Sequence, residues 1–262
     1  FPGTPSPAFP VRAFPIPAAA AVGAAAAKPD PDPDADTADA SVDPRTVRPP
    51  SRKGGAWIAR VLTPAPARRS PGHGRVVGRV NRTISGGDGR TTELLVLAWK
   101  STDRGRKNWL KVRLTARPND LAGWIPSTAV RLKRNIWWVD VRTSTRTVRV
   151  YRRGRLRRTI HAVVGAPATP TPRGLFAVSF AAAQRDPNGF IGPWAIHLSA
   201  HSEVLEDYGG GPGRVAIHGR GGASLNDPLG TARSHGCVRV DNEAVRWLVD
   251  RLRPGTPVQI RL

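Results

Sequence analysis

Ile136-Trp137-Trp138-Val139-Asp140-Val141 and Thr147-Val148-Arg149-Val150-Tyr151 flank a short polar turn, and this pair of runs decides the fold class. Both are rich in β-branched and aromatic residues, which pack well on a pleated surface. Joined by so short a turn, they predict a hairpin. Downstream, a second turn at Arg152-Arg153-Gly154-Arg155 leads into another strand through Val164. Upstream, Glu93-Leu94-Leu95-Val96-Leu97-Ala98-Trp99 and Trp109-Leu110-Lys111-Val112-Arg113-Leu114 repeat the texture, with Gly- and Asp-bearing turns such as Ser85-Gly86-Gly87-Asp88-Gly89 between strands. One helix is expected, from about Glu243 to Leu252. Asp241 or Asn242 would cap it, Ala244, Trp247, Leu248 and Leu252 would form its apolar face, and Pro254-Gly255 would end it. Residues 186–213, rich in Gly and Pro, read as too irregular for core strands. They suit either a flap over a site or an ordinary long loop.

Composition narrows the class further. The 262 residues allow one or two domains with sizeable cores. Residues 1–55 are dominated by Pro, Ala and Asp, including Pro29-Asp30-Pro31-Asp32-Pro33-Asp34, and read as a disordered linker. The net charge of +22 is therefore concentrated downstream, because that tail carries six basic and six acidic side chains. The densest run, Arg131 to Arg158, has eleven Lys or Arg and one acid, Asp140. Such a surface attracts polyanions, and charge alone does not choose between nucleic acid and an anionic cell wall. No helix-turn-helix, zinc-finger or RNA-binding signature accompanies the charge, so no specific nucleic acid is expected. The longest apolar run, Ala18 to Ala27, is too short and too weakly hydrophobic for a transmembrane segment. A single cysteine excludes an internal disulfide.

That cysteine, Cys237, sits in Ser234-His235-Gly236-Cys237-Val238-Arg239, fifteen residues beyond His218-Gly219. A thiolate is the reactive form of cysteine, and a histidine within reach can take the thiol proton. Gly236 permits a tight turn that aims backbone N–H groups at one point, as an oxyanion hole requires. Two histidines, one thiol and permissive glycines read as a site for acyl transfer. A buried structural cysteine is the plainer alternative. A zinc site from His218, His235 and Cys237 is another, although the paired ligand spacing of common zinc sites is missing.

His218 followed by Ser234-His235-Gly236-Cys237 resembles the signature of the L,D-transpeptidases, cysteine enzymes that cross-link peptidoglycan (the YkuD type). Thr169-Pro170-Thr171-Pro172-Arg173-Gly174-Leu175-Phe176 is similar to the Thr-Pro-x-Gly-x-Phe stretch that precedes their active site. Val215-Ala216-Ile217-His218-Gly219 resembles their histidine-bearing strand, and Gly255-Thr256-Pro257-Val258-Gln259-Ile260 their closing strand. The resemblance covers about residues 136 to 262. It implies an L,D-transpeptidase-type β-sandwich with one C-terminal helix over residues 135–262. Over residues 56–134, Gly123-Trp124-Ile125-Pro126 and the following Ala129-Val130-Arg131-Leu132 resemble the end of a bacterial SH3-like domain, which implies a small β-barrel.

The resemblance also implies the roles. Cys237 is the nucleophile that attacks a peptidoglycan tetrapeptide stem, releases D-alanine and forms a thioester, which a neighbouring stem's amine resolves. Hydrolysis instead would make the chain an L,D-carboxypeptidase, and loss of catalysis a wall-binding protein. His218 is the general base, expected to lower the pKa of the thiol, and Gly219 steadies its imidazole. His235 shapes the site. The N–H groups of His235, Gly236 and Cys237 are oxyanion donors, with Ser234 positioning the turn. Arg239, where some relatives carry Asn, either binds a substrate carboxylate or braces the turn. Trp194 and Tyr208 line the substrate groove, whereas His197 and His201 read as polar residues on a strand edge. No metal or cofactor is implied. The partners expected are stem peptides and anionic wall polymers, and the chain is expected to be a monomeric cell-envelope or secreted protein.

Overall fold

The computed structural model describes residues 42–84, 89–207 and 211–262. The expected linker through residue 41, most of the turn at Ser85–Gly89 and Tyr208 lie outside the described residues.

Two β units follow each other along the chain. The first is an antiparallel sheet of seven strands: β1 (Ala56–Val61), β2 (Ala65–Arg68), β3 (Val76–Val80), β4 (Glu93–Thr102), β5 (Lys107–Arg113), β6 (Ala122–Pro126) and β7 (Val130–Asn135). Their order across the sheet is β3-β2-β6-β5-β4-β1-β7. Alternate residues turn inward, so Trp57, Ala59 and Val61 of β1 meet Val96 of β4, Leu110 and Val112 of β5 and Ile125 of β6 in one core. Val47 is also buried there, just beyond a short 3-10 turn at Pro44–Thr46 capped by Asp43. The packed chain thus begins before residue 55, the end of the expected linker. Val47, with Val42 packed partly buried against the same core, anchors a stretch whose composition reads as linker.

The second unit builds an eight-stranded sheet in the order β10-β9-β8-β17-β12-β13-β14-β16. Its elements are β8 (Trp137–Arg142), β9 (Thr147–Arg152), β10 (Arg155–His161), β11 (Val164–Gly165), β12 (Gly174–Ala183), β13 (Trp194–His201), β14 (Arg214–His218), β15 (Ala232–Ser234), β16 (Val238–Arg239), α1 (Asn242–Arg251) and β17 (Pro257–Arg261). The predicted hairpin is present as β8 and β9, with Val139 opposite Val150. The long strand β12 joins two halves of this sheet. Gly174–Ala177 pair with β17, and Val178–Ala183 pair with β13 with a register shift between Val178 and Phe180. A strand shared across such an irregularity turns a sheet corner and lets the two halves face each other. Between the halves lies a core of Val139, Val150, Phe176, Ile196, Leu198, Ile217, Val238 and Ile260, together with Leu248 of α1.

The protein is mainly β with one helix near the C-terminus. That helix runs from Asn242 to Arg251, and its N-cap is Asp241, whose carboxylate accepts the Ala244 N–H at 2.7 Å. One expectation fails. The stretch 186–213 contains β13, an interior strand paired on both sides. Ile196, Leu198 and Ala200 alternate into the core, and the run's Gly and Pro lie outside those eight residues. Local composition averaged over a long window hid a short period-2 strand.

The units pack through Ala56, Ile58 and Leu95 against Ala177. The loop after β5 adds polar contacts to the segment after β13. Arg117 donates to the carbonyls of Ser202, Leu205 and Pro212, and Asn119 exchanges two hydrogen bonds with the His201 backbone.

Candidate active site

β14 and β16 run parallel, with Ile217 opposite Val238 and His218 opposite Arg239. Cys237 immediately precedes Val238, which sets it beside Ala216. Since Val215, Ile217 and Val238 enter the core, the alternation of side chains turns Ala216, His218 and Cys237 to the opposite face. The topology therefore brings His218 and Cys237 to one face of two neighbouring strands, although fifteen residues separate their motifs.

Gly236, at φ 113°, occupies backbone space that favours glycine, and it turns the chain just ahead of the thiol. Ser234 locks this turn. Its hydroxyl accepts the Gly236 N–H at 3.2 Å and donates to the Cys237 carbonyl at 2.5 Å. That geometry revises the expected oxyanion donors, because the Gly236 N–H is already committed to Ser234. His235 is exposed on the outside of the turn.

The His218 ring is buried, and the Gly219 carbonyl sets its tautomer. Nδ1 lies 2.7 Å from the Gly219 carbonyl, an acceptor only, so Nδ1 carries the proton and Nε2 keeps its lone pair. Gly219 itself is held by its N–H, which donates to the Trp194 carbonyl at 3.2 Å. A Cβ at Gly219 would fall 2.4 Å from Asn242 Oδ1, so this position is closed to any side chain. Asn242 clamps the next residue: its Oδ1 accepts the Arg220 N–H at 2.8 Å and its Nδ2 donates to the Arg220 carbonyl at 2.9 Å. Sequence reasoning treated Asn242 only as an alternative helix cap. The signal for its second role is tertiary, because α1 starts where the loop after β14 passes.

Electrostatics favour a neutral pair. Burial drives the His218 pKa down to about 4, and the nearby Arg239 charge pushes the same way, against hydrogen bonds to the Gly219 and Ile191 backbone. Burial raises the Cys237 thiol, while the Ala216 N–H and Arg239 pull it back in part. The expected lowering of the thiol pKa is thus not found. Cys237 is half-buried, and the two shifts together favour an uncharged thiol and an uncharged imidazole.

Arg239 is buried, and Nη1 pairs with Asp227 at 2.6 Å while the guanidinium lies 4.7 Å from the Phe190 ring centre. A cation held this way braces the loop carrying Asp227 and acts on the site through its charge. Asp227 was missed by sequence reasoning, since it belongs to no motif. Trp194 packs its side chain against the core. No group of three or more His, Cys, Asp or Glu is arranged to hold a metal among the described residues.

Comparison with known proteins agrees with the motif reading. Residues 136–260 match the family model of the L,D-transpeptidase catalytic domain. Over 122 residues the chain is 34% identical to a putative L,D-transpeptidase YkuD of Bacillus licheniformis, covering 47% of this chain and 64% of that protein. The chain thus spans less than two thirds of this curated relative. Among solved structures, an L,D-transpeptidase from Mycobacterium smegmatis aligns at 16% identity and TM-score 0.39, covering 78% of this chain and 99% of that one. One from Mycobacterium tuberculosis aligns at 15% identity and TM-score 0.42, covering 65% and 90%. At these TM-scores the structural alignments carry no argument, and the similarity to the family rests on the sequence matches.

Proposed function

We propose, on the premise that residues 136–260 are an L,D-transpeptidase catalytic domain, that the chain is a cysteine-dependent peptidoglycan transpeptidase. Its substrate is a tetrapeptide stem in which D-alanine is joined to the L-centre of a diamino acid. His218 Nε2 takes the Cys237 proton as the sulfur attacks the scissile carbonyl. The tetrahedral oxyanion is met by backbone N–H groups at the turn, that of Cys237 foremost, since Gly236 donates to Ser234. Collapse breaks the C–N bond, and the proton held on His218 goes to the departing D-alanine nitrogen. The thioester that remains is attacked by a side-chain amine of a second stem, which loses a proton to His218 and restores the thiol. The product is a cross-link between third-position residues.

One observation carries this reading. The Gly219 carbonyl fixes the His218 tautomer on the face of β14 that Cys237 shares, with the Ala216 N–H directed at the sulfur. A placed general base of this kind is worth about 10²–10⁴-fold.

Residues 56–134 serve in this reading as an SH3-like accessory module, and the protein works as a monomer in the cell envelope. The cationic edge strand β10 fits an anionic wall polymer. Arg155 and Arg157 there, and Arg153 in the preceding turn, are exposed. Arg158 is instead partly occupied by Trp247 and Glu243, which it meets at 5.4 and 2.8 Å. No described helix is long and apolar enough to cross a membrane.

Incubation of the purified protein with a defined tetrapeptide stem and an amine-bearing acceptor tests the reaction, with products identified by mass. Release of D-alanine with a cross-linked product, abolished in Cys237→Ala, is the expected result. Release without cross-linking would assign a carboxypeptidase instead, and neither product would refute the reading.

A further inference from the structure

Phe180 on β12, His197 on β13 and Ala216 on β14 stand in register, and Cys237 continues the row beyond β14. Ile196, Leu198, Val215 and Ile217 enter the core, so this row lies on the outer face that carries the thiol and His218. Neighbouring strands are about 4.8 Å apart, which puts His197 two strands, or about 10 Å, from Cys237.

The far end of the row is cationic. The His197 ring stacks on Phe180 with centroids 4.4 Å apart, and the Arg214 guanidinium lies 5.6 Å from the same ring centre. Arg90 reaches in from the first unit to donate to the Ala181 carbonyl. His201 follows along β13, opposite Arg214. Nδ1 of His197, Nδ1 of His201 and Nε of Arg214 are all buried without a hydrogen-bond partner, and His201 is only 3% exposed. No carboxylate forms an ion pair with Arg214 among the described residues. Glu203, the acid after His201, meets Asn119 at 3.4 Å. Burial, Arg214 and its neighbouring cations hold both histidines near pKa 4, and the positive field at Arg214 meets no ion-paired carboxylate among the described residues. A half-buried guanidinium with a buried, unpartnered Nε and no counter-charge carries a desolvation cost, and a planar fork beside a neutral imidazole is well matched to a carboxylate.

We propose that Arg214 and His197 form a carboxylate-binding subsite for the acyl-donor peptide, set along the active-site face from Cys237. The assignment rests on the transpeptidase reading for the identity of that peptide. Distance selects which carboxylate is bound. The carboxylate of the leaving residue is attached next to the scissile amide, too close for a site about 10 Å away. An extended chain covers about 3.3–3.6 Å per residue, so the subsite takes a carboxylate on the acyl side, two to three residues' length from the scissile bond. Arg214 sets specificity and position here, and takes no part in bond making.

The test is peptide binding to Cys237→Ala by calorimetry, which needs no turnover. The probes are a D-alanine-terminated tetrapeptide stem and the same peptide with its acyl-side carboxylates amidated one at a time. One amidation should weaken binding about tenfold or more. Arg214→Gln in the same background should weaken the free-acid peptide by a similar factor and leave that amide unchanged, with Arg214→Lys in between. Equal affinity for acid and amides before any change at Arg214 would overturn the subsite, whether or not Arg214→Gln folds. So would an equal loss for both peptides in a folded Arg214→Gln. D-alanine release by the unsubstituted protein is scored separately: release with no acid–amide discrimination refutes the subsite alone, and discrimination without release refutes the transpeptidase reading alone.

Discussion

At Cys237 burial raises the thiol pKa and at His218 burial lowers the imidazole pKa, so both effects favour the uncharged pair. In the proposed reaction the resting site then holds a thiol and a free base, and the proton moves as the sulfur attacks. Two pH dependences follow. The alkylation rate of Cys237 should keep rising with pH through and above about 8.5, the value of an unperturbed thiol. A plateau below pH 7 would show a preformed thiolate and refute the neutral pair. The acid limb of kcat/KM should lie near pH 4, where His218 takes up its proton, and not near the ordinary histidine value of about 6.5. His218→Ala should lower kcat by about 10²–10⁴-fold. The residues of the proposed site were legible in the sequence because a thiol, a histidine and a glycine turn are local signals. Its electrostatics were not, because desolvation depends on what the fold places around the pair. The contacts of Asp227 and Asn242 were invisible for a related reason: their partners Arg239 and Arg220 are reached only through tertiary packing.

Among the elements, β13 best shows what the sequence concealed. Gly and Pro on both sides made the stretch read as a loop, yet Ile196, Leu198 and Ala200 turn into the core of an interior strand and His197 lies on the face that Cys237 shares. The hairpin of β8 and β9 and the helix α1 were legible because their periodicity is uninterrupted and their caps are local. The segment after β13 is held from outside its own unit by Arg117, through the carbonyls of Ser202, Leu205 and Pro212. Hydrogen bonds from a charged donor are worth about 1.5–3 kcal/mol each where they are well formed. Arg117→Ala should therefore raise amide hydrogen exchange over residues 202–207 by about tenfold or more, leaving β8 and β9 unaffected. Unchanged exchange over 202–207 would mean that the second unit holds this segment alone.

Over the whole molecule, three histidines are kept neutral by the fold: His197, His201 and His218, each near pKa 4. In the unfolded chain each would take up a proton near pH 6.5. Between about pH 4 and 6.5 the unfolded state binds more protons, so stability should climb with pH across that window and level off above it, as far as these groups decide it. Denaturant midpoints should accordingly be lower at pH 4.5 than at pH 7. His201→Gln should reduce the difference, and a midpoint that stays flat from pH 4.5 to 7 would contradict the assigned neutrality. The most direct test of the central claim, that Cys237 is an acylating nucleophile, is the intact mass of the protein after rapid mixing with a tetrapeptide stem in the absence of an acceptor amine. The expected result is one adduct equal to the stem less D-alanine, bound at Cys237 and absent from Cys237→Ala. D-alanine release that continues in Cys237→Ala would contradict it.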